Sequence, residues 1–268
     1  MVRRYPSILL PFFIKAIFEG IALTVLFYFP RPPFSIIFAQ PVKNIFGASF
    51  LHYPYNFNLL PTLFYYGQIF IMLTLGAVMY GMAMGMVSQA HSGNEDVRIF
   101  GNFNRAVRRY FALTGVWLIT FILSLVILKV PPIIIKKLMQ PSHFAVLLLQ
   151  TAVYLGIALI YLVETLFVYA YPAIVIERKG FFSAIGRSFG VIRHVFLTTI
   201  VLIAVPRLFE FLYTFVRQKQ QGLMNLTVPE ITLVILGVSI AVSFIADSAV
   251  FLSTANLFIL KQETEKSD

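Results

Sequence analysis

The chain has 268 residues, 59% of them hydrophobic and only 12% charged, against roughly 25% charged in an ordinary soluble domain. Its net charge of +10 would suggest a nucleic-acid partner in a soluble protein, but here the basic residues flank apolar runs long enough to cross about 30 Å of hydrocarbon. Orientation bias and anionic headgroups account for such charge, so no nucleic-acid partner is expected. The absence of cysteine excludes disulfides, thiolate nucleophiles and Cys-based metal centres.

The expected fold class is all-α, a polytopic membrane bundle forming a single integral membrane domain over 1–268, with spans at about 8–29, 61–87, 110–128, 145–171, 195–213 and 231–260. The first run follows Arg3 and Arg4 as a secretory signal would. It is nevertheless expected to be a retained span, because it is too long for a signal core, carries Lys15 and Glu19, and leads into Pro30–Pro33 rather than a cleavage site. The connections 33–60 and 129–143 are apolar and aromatic and are expected to lie as loops in the outer interface.

Between the spans, two amphipathic helices are expected on the inner leaflet, at about 97–109 and 181–194. They are related by an internal repeat: Phe100, Phe103, Arg105, Val107 and Tyr110 match Phe182, Ile185, Arg187, Phe189 and Ile192 at a constant offset of 82 residues. Together with span starts near Pro61, Ala145 and Ile231, this predicts three transmembrane hairpins. Orientation follows from the basic residues outside the spans. Arg3, Arg4, Arg98, Arg105, Arg108, Arg109, Arg178, Lys179, Arg187, Arg193, Lys261 and Lys266 are on the side of the termini; Arg31, Lys43, Lys129, Lys136, Lys137, Arg217 and Lys219 are opposite. Both termini are therefore expected in the cytoplasm of a bacterium, with the chain in the inner membrane.

The segment Tyr171–Phe196 leaves the fourth span with Pro172, turns at Glu177 and Gly180, and continues through Ala184, Arg187, Ser188, Arg193 and Phe196. It resembles the "ALxRSxxLxRxxF" segment of the membrane domain of glycerophosphoryl diester phosphodiesterases and of the related YciC-like standalone inner-membrane proteins; Arg98–Phe111 resembles a weaker copy. The resemblance implies a six-helix membrane module. It does not imply the phosphodiesterase reaction, which belongs to a separate soluble barrel for which 261–268 is expected to leave no room.

Ionisable groups inside the spans are the costliest residues in the chain, since a charge at the bilayer centre costs at least about 2.5–3.5 kcal/mol. Lys15, Glu19, Glu164, Arg207 and Asp247 are the expected intramembrane polar core, with Glu210 paired to Arg207 near the outer end. Lys15 and Glu19 can neutralise one another at i,i+4. Glu164 and Asp247 have no basic partner in their own helices, which leaves three alternatives: interhelical pairing, a solvated cavity, or a protonated carboxylate. Arg105, Arg108, Arg109, Arg187 and Arg193 are the expected headgroup contacts. Ala77, Gly81 and Gly85 form a small-residue stripe for close helix packing.

His52, His91, His143 and His194 make no ligand spacing, and Met79, Met82, Met84 and Met86 read as gap-fillers, so no metal or cofactor is expected. Asp96, Asp247 and Asp268 are the only aspartates, and neither a phosphate-binding loop nor a membrane-protease serine motif is present. The expected function is non-enzymatic: membrane or envelope homeostasis with handling of a lipid or small amphipathic ligand. Two other readings stand beside it: a permease subunit whose helix 181–194 docks a separate ATPase, and an assembly partner that docks another membrane subunit through the small-residue stripe.

Overall fold

The computed structural model describes residues 4–93, 97–140, 142–218 and 228–267, with the backbone alone described at 213–218 and 266–267. Of the residues singled out above, Arg3, Asp96, Lys219 and Asp268 lie outside the described residues, as do the side chains of Arg217 and Lys266.

The described residues contain no strand. After a short turn at Pro6–Leu9 come α1 (Leu10–Phe27), α2 (Ser35–Ile45), α3 (Tyr55–Ile71), α4 (Ala77–His91), α5 (Ile99–Val107), α6 (Tyr110–Leu138), α7 (His143–Phe167), α8 (Ala170–Val175), α9 (Phe181–Gln218) and α10 (Ile231–Ser267). Among them are six segments long and apolar enough to span a membrane: Pro6–Phe27, Tyr55–His91, Tyr110–Leu138, His143–Val175, Phe181–Leu212 and Ile231–Glu265. Backbone groups in hydrocarbon must be satisfied within their own segment, and the helix does this for runs so poor in charge. The protein is thus an all-α polytopic membrane protein.

Two expected loops are largely helical instead. The third span does not stop at Leu128: α6 runs to Leu138 through Pro131 and Pro132. The two prolines cannot donate to the carbonyls of Ile127 and Leu128, but they sit near the helix end, and continuing keeps the backbone of Ile133–Ile135 paired in an apolar setting. In 33–60 the chain forms α2 and the start of α3 for the same reason. Within α9, helical dihedrals lapse at Val195 (φ −128°, ψ 21°), where the amphipathic segment and the fifth span were expected to meet.

The chain divides into two compact units. The first comprises Met1–Ile8, Ala77–Val205 and Ala249–Asp268; the second comprises Leu9–Gly76 and Pro206–Ser248. In the first, Tyr80 stacks on Phe251 at 4.0 Å between ring centroids, and Tyr171 meets the same ring edge-on at 5.4 Å. Met79, Met82, Met84 and Met86 are buried there as core rather than spread on a lipid face. In the second unit, Leu23, Leu26, Leu60, Phe64 and Leu236 form the core, with a satellite of Phe29, Val42 and Leu59. Large apolar side chains such as Phe13, Phe111, Leu197 and Val234 are exposed, which suits a surface whose solvent is acyl chain.

The small-residue stripe is consumed inside the first unit. A Cβ at Gly81 would come within 2.6 Å of Leu113 and 3.4 Å of Ala106, and one at Gly85 within 2.6 Å of Asn102 and 3.4 Å of Val175. Ala77 is fully buried. Close approach of α5, α6 and α8 to α4 is what the missing side chains permit, so this stripe is not an external docking surface.

Candidate functional site

Two clusters of charge answer the sequence expectations in opposite ways. In the second unit, Lys15 on α1 lies 3.0 Å from Glu19 and 3.0 Å from Asp247 on α10, and donates to Ser243 at 3.3 Å. Those contacts use all three ammonium protons. The other Asp247 oxygen accepts from Arg207 of α9 at 3.0 Å, and Arg207 also reaches Glu210 at 2.8 Å. Lys15 is 5% exposed, Glu19 2% and Asp247 3%.

Asp247, without a basic residue in its own helix, is therefore matched by two cations from α1 and α9, the interhelical pairing that the sequence left as one of three alternatives. Enclosed ion pairs of this kind hold helices in register, and breaking one strands its partner. Within this cluster, Glu19 Oε2 is buried with no hydrogen-bond partner among the described residues. Glu164 belongs to the first unit, half-buried on α7.

The repeat-related arginines of the first unit differ from one another. Arg187, on α9, donates to Glu177 at 3.0 Å and to Glu265 at 2.6 Å, and lies over the Phe258 ring. Glu177 also accepts from Gln262 at 2.6 Å and pairs with Lys179 at 2.9 Å. Partial burial pushes the Glu177 carboxyl up, but hydrogen bonds from Lys179, Gln262 and Arg187, with the Arg187 charge, outweigh it and hold the group below its usual value. Arg187 was expected at lipid headgroups; its guanidinium is instead taken up by two carboxylates of its own chain. Arg193 is exposed on α9.

Arg105, at the equivalent place in the other copy, has no such partners. With Arg108, Arg109 and Arg178 it lines a cavity of about 360 Å³ completed by Gly101, Asn104 and Val175. None of these four guanidinium groups makes a hydrogen bond or ion pair among the described residues, and no carboxylate is among the described residues that line the cavity.

Helix α5 builds the site because it has three distinct sides, as its residues fall about 100° apart. Asn102 and Ala106 are buried against the α4 stripe. Gly101, Asn104, Arg105 and Arg108 face the cavity. Phe100, Phe103 and Val107 form the third side, with Phe100 87% exposed. Asn102 fixes the rotation by donating to Gln89 Oε1 at 2.8 Å and to the Arg98 carbonyl at 2.9 Å. The cavity sits where three apolar spans end or begin, at His91, Tyr110 and Val175.

Arg178 was counted as a basic flanking residue but not as a site residue. It has φ +57°, the only positive φ among the described non-glycine residues. The Arg-Lys-Gly turn invites glycine into the left-handed conformation; the chain gives it to the arginine and keeps Gly180 out of it. The sequence carried no signal for that choice.

The described residues hold no group of three or more His, Asp or Glu side chains able to bind a metal. Fold and site together define the class: a helical multi-pass membrane protein with a cavity, at the ends of its spans, lined by four arginines that have no ionic partner among the described residues. No family model, curated protein or solved structure matches the chain.

Proposed function

We propose that this is a non-enzymatic membrane protein that holds the anionic headgroup of a lipid or lipid-like amphiphile, in the service of membrane or envelope homeostasis. The observation that carries the reading is the pairing, on one short helix, of an exposed Phe100/Phe103/Val107 side with a cavity lined by four arginines that have no hydrogen-bond or ion-pair partner among the described residues. The first suits an acyl chain; the second suits an anion through forked, charge-assisted hydrogen bonds. The same reading sets the chain in the bacterial inner membrane with the cavity at the cytoplasmic leaflet. Twelve of its 21 basic residues fall on the side of the termini, and the resemblance to standalone inner-membrane modules agrees.

Native mass spectrometry of the full chain, extracted from its own membrane, tests the proposal. Retained anionic lipid that is lost in the Arg105→Gln/Arg108→Gln double variant is the expected result. Lipid retention that is absent, or indifferent to both arginines in a protein of unchanged melting temperature, overturns it.

A further inference from the structure

The cavity also discriminates among headgroups. Resting on the proposed function above, we infer that its ligand ends in a free phosphate, a phosphomonoester or diphosphate, rather than in a phosphodiester or an amine.

Charge is the first reason. Four arginines line about 360 Å³, with no carboxylate among the described lining residues. A zwitterionic headgroup would bring an ammonium into that field with no described lining carboxylate to neutralise it. A phosphodiester brings one negative charge and two unesterified oxygens. A terminal phosphate brings three such oxygens and about −1.5 to −2 charges near neutral pH. The larger charge and oxygen count fit forked donors arriving from several directions, from Arg105 and Arg108 on α5, Arg109 at the start of α6 and Arg178 after α8.

Backbone strain is the second reason. A left-handed conformation disfavours a side chain with a Cβ, and such outliers persist where the surroundings or a function require them. Arg178 adopts it two residues before Gly180, which would take it freely. An arginine at that turn supplies the fourth of the arginines that line the cavity.

The full chain is placed in phosphatidylcholine nanodiscs containing equal mole fractions of phosphatidic acid or phosphatidylglycerol, and lipid retention is read by native mass spectrometry. Phosphatidic acid is expected to be preferred by about tenfold. Its retention is expected to strengthen from pH 5 to pH 8 as the second phosphate proton leaves (pKa about 6), whereas that of phosphatidylglycerol, a phosphodiester with no second proton to lose, stays flat. Arg178→Gly is expected to lose most of the preference while melting no lower, since it relieves the turn; Arg193→Gln, exposed and outside the cavity, is expected to keep it.

Equal retention of the two lipids, both lost in Arg105→Gln/Arg108→Gln, overturns this inference and leaves the proposed function standing. Retention of neither lipid, with no effect of inorganic phosphate on the melting temperature, removes both. Stabilisation by inorganic phosphate, lost in the same double variant and without lipid retention, keeps the terminal-phosphate chemistry but moves its source from lipid to the free anion. Displacement of phosphatidic acid by inorganic phosphate supports a site that reads the phosphate alone, and failure to displace it supports one that reads phosphate and acyl chain together.

Discussion

Arg105 and Arg187 start from the same place in a repeated pattern and end in different chemistry. Each sits on an amphipathic helix with an exposed phenylalanine five residues before it, Phe100 and Phe182. Yet Arg187 is clasped by Glu177 and Glu265, while Arg105 opens on a cavity with three more arginines. The difference lies in the neighbours: the second copy follows a turn carrying Glu177 and meets the acidic end of α10, whereas no carboxylate is among the described residues that line the cavity of the first copy. A cation neutralised by its own chain is a fastener; a set of cations with no partner among the described residues is, in the function proposed above, a receptor for an anion.

The fully enclosed cluster of the second unit is the extreme of the fastener type, and it should respond most strongly. Lys15→Ala leaves Glu19 and Asp247 short of their shared cation and is expected to cost about 3–5 kcal/mol, read as a large fall in melting temperature in detergent. Restoration of that loss by Lys15→Ala/Glu19→Ala would sharpen the assignment, whereas an unchanged melting temperature in the single variant would break it.

Next in size is Gly85→Ala. Its Cβ would press on Asn102, which two hydrogen bonds hold in place, so a loss of about 1–3 kcal/mol is expected, with weakened lipid retention because α5 must shift.

Arg187→Gln is expected to cost about 1 kcal/mol, the clasp being partly solvated. The sign with pH follows from Glu177. Its carboxyl titrates below the ordinary carboxylate range in the fold, so its contribution is complete above that range and fades as pH falls through the lowered value. Melting temperature measured downward from pH 7 should therefore fall through the acid range in the natural protein and fall less in Arg187→Gln. Smallest of all in stability, Arg105→Gln should leave the melting point unchanged or slightly higher, since it removes like-charge repulsion and no hydrogen bond or ion pair to a described residue.

The spans were legible because hydrocarbon length and backbone satisfaction leave a run of apolar residues few choices. Their ends were less so: Pro131 and Pro132 read as a stop, but a helix near its end loses only two donors to them. Asp247 announced its need for cations, and Lys15 and Arg207 were the intramembrane cations the sequence offered. The fate of Arg187 was not legible, because Glu265 and Gln262 lie more than 70 residues away and no local pattern links them. Nor was Arg178, whose importance rests on a backbone dihedral that its residue type argues against. Arg105, Arg108 and Arg109 were legible as basic residues of one helix; that they share a cavity depends on Asn102 and the α4 glycines setting the rotation of α5.

The direct test is a paired measurement on Arg105→Gln and Arg187→Gln, with anionic lipid retention and melting temperature read on the same samples. Arg105→Gln is expected to lose lipid at unchanged melting temperature, and Arg187→Gln to melt lower while keeping it. If the two variants behave alike, or exchange those responses, the division between fastener and receptor is wrong.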